Sequence, residues 1–146
     1  MSTARFSILS VGPSGNLMLM DATITNGDAP DFGGGIANRG QLTVTNSAIR
    51  NNHGNFSGGI GAGFGTTTHI VGTSIMGNSA NVNGGGVAND GNMTISNSRV
   101  IDNTAGASGG GVLNAGGSVV LTSSRVRGNQ PTNCAGSDIP IPNCAG

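Results

Sequence analysis

Six aspartates are the only acids in this 146-residue chain, and six arginines are its only permanent cations. Glycosidic hydrolysis would need two carboxylates held on either side of a bond. Aligned on the chain's own repeat, Asp21 shares a slot with Asn46 and Asn97, which makes it a corner residue. Asp90 shares a slot with Arg39 two units away, and Asp102 falls on another corner. No two acids pair. Asp28 and Asp31 are close enough in sequence to hold calcium, but two carboxylates are a thin set for an ion that takes 6–8 oxygens. A solvated loop accounts for them better.

Arg99 and Arg125 share one outward slot on adjacent units, with Arg127 and Asp102 nearby. Two guanidiniums one strand spacing apart repel unless an anion lies between them or both splay into water. This is the candidate ligand patch, suited to a small anion or a uronate. His53 and His69 fall in unlike slots, a corner and a strand, so they do not form a metal pair. Cys134 and Cys144 sit in the near-copies Asn133–Gly136 and Asn143–Gly146 within a Pro-rich tail. One pair without a nearby His is a weak metal set. A disulfide pinning a terminal loop is the expectation, and it would require an oxidising compartment. No catalytic residue, metal or cofactor is assigned.

What must position these side chains is a phrase that returns roughly every 25 residues. It reads Gly33–Ile36, Gly58–Ile60, Gly84–Val87 and Gly109–Val112. Each copy leads into an alternating run, such as Leu42-Thr43-Val44-Thr45 or Met93-Thr94-Ile95-Ser96. Strict alternation marks a half-buried strand. A second apolar column holds Ile24, Ile49, Ile75, Val100 and Val126. A third holds Ile36, Ile60, Val87 and Val112, joined by Ile8, and a fourth holds Phe32, Phe56, Val82 and Ala107. Three short strands cannot bury a face alone, but stacked units form one core. The prediction is an all-β, right-handed parallel β-helix of about five coils, about 24 Å long at the usual strand spacing. Helix is disfavoured by 28 glycines.

Asn52, Asn78, Asn103 and Asn129 share one slot after the second column, with Asn26 one residue out of step. Stacked amides can hydrogen-bond along the axis as a ladder. The glycine runs do not cradle phosphate, because no helix follows them and the chain has no Lys. They allow close backbone packing at corners.

Residues 1–130 read as the repeat domain and 131–146 as a C-terminal cap. Phe6, Ile8 and Val11 read as part of a coil, so the chain is expected to begin inside a longer array, without a signal peptide. The tail is expected to cover the last coil's edge. The first coil has no such device, so self-association is expected there. Charged residues are 8% and net charge is zero, which gives no footprint for nucleic acid or an anionic membrane. No apolar run is long enough to span a bilayer as a helix.

The Gly-Gly-Gly-[Ile/Val] phrase followed by Leu-Thr-Val-Thr-Asn-Ser-x-Ile-x-x-Asn resembles the repeats of bacterial right-handed β-helix surface proteins. Among these are the chlamydial polymorphic outer membrane protein repeats, with Gly-Gly-Ala-[Ile/Leu/Val] and Phe-x-x-Asn elements. Here Ile49–Asn52, Ile75–Asn78, Val100–Asn103 and Val126–Asn129 stand in place of Phe-x-x-Asn. The likeness covers about residues 6–130, and the Cys-containing tail resembles the end of such arrays in large secreted proteins. It implies an extracellular or surface-displayed bacterial segment: a passenger, adhesin or stalk. The function expected is therefore a non-catalytic structural or adhesive rod. It would display loops such as Gly27–Phe32, His53–Ser57 and Ser79–Asn83 to a surface or carbohydrate ligand. The alternative is a fragment of a polysaccharide lyase or hydrolase. Ice binding is a third class, weakened because the Thr43/Thr45 and Thr94/Ser96 rows are interrupted by His69 and Val71.

Overall fold

The computed structural model describes residues 4–146. Met1–Thr3, included in the expectation for the first coil, lie outside the described residues. The first coil carries β1 (Leu9–Val11), β2 (Asn16–Met20), β3 (Thr23–Thr25) and β4 (Asp28–Ala29). The second carries β5 (Ile36–Asn38), β6 (Gln41–Thr45), β7 (Ala48–Arg50) and β8 (His53–Gly54). The third carries β9 (Ile60–Ala62), β10 (Thr67–Val71), β11 (Ser74–Met76) and β12 (Ser79–Ala80). The fourth carries β13 (Val87–Asn89), β14 (Asn92–Ser96), β15 (Arg99–Ile101) and β16 (Thr104–Ala105). The fifth has β17 (Val112–Asn114), β18 (Ser118–Thr122) and β19 (Arg125–Arg127). Every strand pairs in parallel with its counterpart one coil away, so four sheets run along the axis. Among the described residues there is no helix. The chain is a parallel β-solenoid.

Burial explains the pairing register. Leu42, Val44, Met93 and Ile95 point inward on the row that starts at β2, and all are essentially inaccessible. Ile24, Ile49, Ile75, Val100 and Val126 form one unbroken column on the row that starts at β3. A one-residue slip of any strand would turn its apolar set outward, so the register is strongly specified.

Three expectations are corrected. Each full coil has four strands, not three. The extra row is only two residues wide, and its inward column is small: Ala29, Gly54, Ala80 and Ala105. Leu9, not Ile8, pairs with Ile36 and heads the third column. The Phe32 column lies outside the core, with Phe56 50% exposed.

Two corners per coil use left-handed backbone. Asp21, Asn46, Gly72, Asn97 and Ser123 have φ of 47–57°. Asn26, Asn51, Gly77, Asp102 and Gly128 have φ of 54–65°. Asn, Asp and Gly dominate these positions because they tolerate this region at least cost.

Both ends are partly covered. At the first coil, Phe6 pairs antiparallel with Asp28, and the Arg5 guanidinium holds the Asp28 carboxylate at 2.9 and 3.0 Å. This strap covers the β4 edge and corrects the expectation of a bare N-terminal face. At the last coil, Asn133 accepts from the Val112 amide at 2.8 Å, and Ile141 and Cys134 are buried in the core. The tail makes no backbone hydrogen bond to β18 or β19, so its cover is narrower than expected.

Candidate functional site

The inside of the solenoid is held by two side-chain ladders. In the first, Asn52 donates to Asn78 Oδ1 at 3.0 Å, Asn78 to Asn103 at 3.0 Å, and Asn103 to Asn129 at 2.9 Å. Each Oδ1 also accepts the backbone N–H of the preceding rung. Each second amide hydrogen reaches an apolar-column carbonyl, as Asn103 does at Ile75 O, 3.1 Å. Gly27 N–H opens the ladder and Asn133 Oδ1, in the tail, closes it. These asparagines are thus structural, with every polar atom engaged.

The second ladder is made of hydroxyls. Ser47, Thr73, Ser98 and Ser124 each accept the backbone N–H of the coil below and donate to the carbonyl two residues back. It escapes a sequence reading because serine at a corner looks like solvent-facing serine. A shorter Asn row is interrupted too. Asn89 donates to Asn114 at 3.0 Å, but Ala62 occupies the rung between Asn38 and Asn89. There Asn38 turns to Thr68 Oγ1 at 3.0 Å, which explains a fully buried threonine in a Leu/Met column.

Outside the hydroxyl ladder lies a long open concavity. It runs along the axis where the β2 row bends into the β3 row, and its space is about 870 Å³. Small side chains line much of it, among them Ala22, Ala48 and Ser74. The left-handed corner residues from Asp21 to Ser123 form one wall. Arg99 and Arg125 stand at the fifth-coil end and Asp21 at the first. The groove is open and polar, anionic at one end and cationic at the other. Such a surface suits an extended polar chain carrying an acidic group.

The structure divides the predicted ligand patch. Arg99 and Arg125 pair directly across adjacent strands and both line the groove. Arg127 pairs with Ile101 and does not line it, and Asp102 sits on the opposite corner of its strand. Among the described residues none of these four side chains makes a hydrogen bond or ion pair. Asp28 is committed to Arg5, whose hydrogen bonds hold its carboxyl below the usual range, helped by nearby His53. Asp31 accepts from Asn55 and Phe56 through its backbone only. His53 bonds Ser79 Oγ at 2.9 Å and His69 bonds Thr94 Oγ1 at 2.8 Å, on different sheets. On the outer face of the β2 row, His69 and Val71 separate the threonine pairs, and exposed Met18, Met20 and Val120 flank them.

Cys134 and Cys144 form a disulfide with Cα atoms 6.1 Å apart. A disulfide of this kind fits an oxidising environment. Among the described residues no helix is long and apolar enough to cross a membrane. No known protein family, curated protein or solved structure matches this chain. The class is defined by the fold alone: a parallel β-solenoid repeat protein with a disulfide-closed tail.

Proposed function

We propose that this chain is a non-catalytic, rigid display segment of a secreted or cell-surface bacterial protein, and that its axial groove holds a polysaccharide ligand. One observation carries the reading. The asparagine ladder runs without a break from Gly27 to Asn133, through every coil and into the disulfide-bonded tail. A fully satisfied buried network of this kind gives stiffness rather than the mobility of a lid or gate. The likeness of the repeat phrase to bacterial surface β-helices supports the same reading. A glycan array read with and without calcium tests it. Binding of an acidic glycan is expected, and it should weaken in Arg99→Ala and Arg125→Ala. An array silent under both conditions would remove the adhesive part of the proposal.

The groove itself favours a second reading, a fragment of a carbohydrate-active enzyme, because two arginines line a long open cleft. Pectin, alginate, xylan and glycosaminoglycans should give no product with the wild-type chain. A product peak lost in Arg99→Ala or Arg125→Ala would replace the display reading with this one.

A further inference from the structure

Apart from the groove, with no lining residue in common, the repeat contains its own template for binding a cation. The Arg39 guanidinium lies 4.7 Å from the centre of the Phe32 ring. The ring rests on β9 at Gly61, where a Cβ would come 2.2 Å from Phe32 Cδ2. The same row holds Ser10, Ala37, Ala88 and Leu113 in the other coils, so glycine here makes room for the ring.

One coil further on, half of this arrangement recurs. Phe56 N–H bonds Asp31 O at 2.9 Å, which places Phe56 directly above Phe32. Gly63 N–H bonds Asn38 O, and Asp90 N–H bonds Ala62 O. Arg39, Gly63 and Asp90 are therefore successive rungs of one corner. Phe56 has the ring, but its own coil offers Gly63 where Phe32 has Arg39. A pocket of about 270 Å³ lies there, bounded by Phe32, Phe56, Ala62, Gly63, Ala88 and Asp90. Phe56 is 50% exposed, and the Asp90 carboxylate has no hydrogen-bond partner among the described residues.

We propose that this pocket receives an arginine side chain from a partner polypeptide. Its guanidinium would stack on Phe56, as Arg39 does on Phe32, with Asp90 as counterion one rung beyond. Charge complementarity selects a cation. The planar, weakly hydrated guanidinium fits a ring face and a carboxylate together better than an ammonium does. A polypeptide partner fits the surroundings, because Phe64, next to Gly63, is 95% exposed and needs a larger body to cover it. The site is separate from the groove and does not depend on what the groove binds.

Titration with the peptide acetyl-Gly-Arg-Gly-amide, followed by NMR, tests the proposal. Saturable shifts are expected at the Gly63, Phe56 and Asp90 amides. The citrulline peptide, neutral but nearly the same shape, should bind roughly fivefold more weakly, the size of one exposed cation–π contact. The lysine peptide should also fall short of the arginine one. Asp90→Asn should weaken binding. Gly63→Arg should abolish it by placing the chain's own guanidinium over Phe56. That substitution is sterically open, since the nearest atom to a Cβ at Gly63 is Asn38 O at 3.7 Å. No saturable shift, equal response to the citrulline or lysine peptide, or unchanged binding in Gly63→Arg would each overturn the assignment.

Discussion

Asn133 Oδ1 accepts a hydrogen bond from Asn129 Nδ2 at 3.0 Å, and Asn133 directly precedes Cys134. The disulfide is thereby coupled to the ladder. It pins the residue that supplies the ladder's last acceptor, while Asn133 O holds the Val112 amide. The tail acts as a sixth, improvised rung without being a sixth coil.

The disulfide should therefore stabilise in two ways. Closing a loop of this length contributes about 2–3 kcal/mol in the chain-entropy account. Paired Cys134→Ser and Cys144→Ser should cost at least that much in urea unfolding. The amides of Val112 and Asn129 should lose hydrogen-exchange protection before those of the second coil. Uniform loss across all coils would contradict the coupling.

Mid-ladder substitution should be more damaging than its one side chain suggests. Asn103→Ala removes the acceptor for both the backbone N–H and the side-chain amide of buried Asn78. Each stranded buried donor costs about 1–3 kcal/mol. A loss on the order of 3 kcal/mol or more is expected by chemical denaturation. Asn81→Ala, at an exposed corner, should stay within about 0.5 kcal/mol.

The fold was legible because it repeats. Ile24, Ile49, Ile75 and Val100 carry the same chemistry in the same slot, and so do the ladder asparagines. What stayed hidden lacked a side-chain marker. The β4 row buries Ala and Gly on two-residue strands, too short and too small for alternation to register. Phe32 and Phe56 read as core residues by their apolar character, yet they pack on the outer surface. The groove is made by a bend over small residues, so the sequence shows its arginines and its Asp21/Asn46/Asn97 corner slot but not the concavity between them.

Glycines in the repeat should differ sharply in tolerance. A Cβ at Gly86 would sit 2.6 Å from Gly111 O and 3.0 Å from Asn103 Nδ2, so Gly86→Ala must push apart two coils and the ladder. Gly12 has nothing within 4 Å and ordinary backbone, so Gly12→Ala should be neutral or stabilise by up to about 1 kcal/mol. Thermal midpoints of the two variants should move in opposite directions or differ by many degrees. Equal midpoints would show that the coils can spread at little cost.

The N-terminal strap should respond to acid. The Asp28 carboxyl is held low by Arg5, so the unfolded chain takes up that proton more readily than the folded one. Its contribution is present above the unfolded value near about pH 4 and is lost as pH falls through the lower folded value. The protection factor of the Asp28 amide, which bonds Phe6 O, measured against the intrinsic exchange rate at each pH, should fall below about pH 4 while that of Ile49 does not. Asp28→Asn should remove the pH dependence. A flat profile in the wild type would mean the strap holds without the ion pair.

The uncovered edges should set the association behaviour of the isolated chain. Among the described residues the Phe6 strap covers β4 and the tail covers β17, which leaves β1 to β3 at one end and β18 and β19 at the other. Unpaired edges recruit another chain, and Lys on an edge strand opposes it. Leu9 is a poor place for a charge because it packs against the core and pairs with Ile36. Met18 and Val120 are better, since they lie on the two terminal strands of one sheet and are 67% and 52% exposed. Slow, concentration-dependent association is expected for the wild type by light scattering. Met18→Lys and Val120→Lys together should suppress it without lowering the urea midpoint. A wild-type chain that stays monomeric at high concentration would show that the strap and tail already protect the open strands.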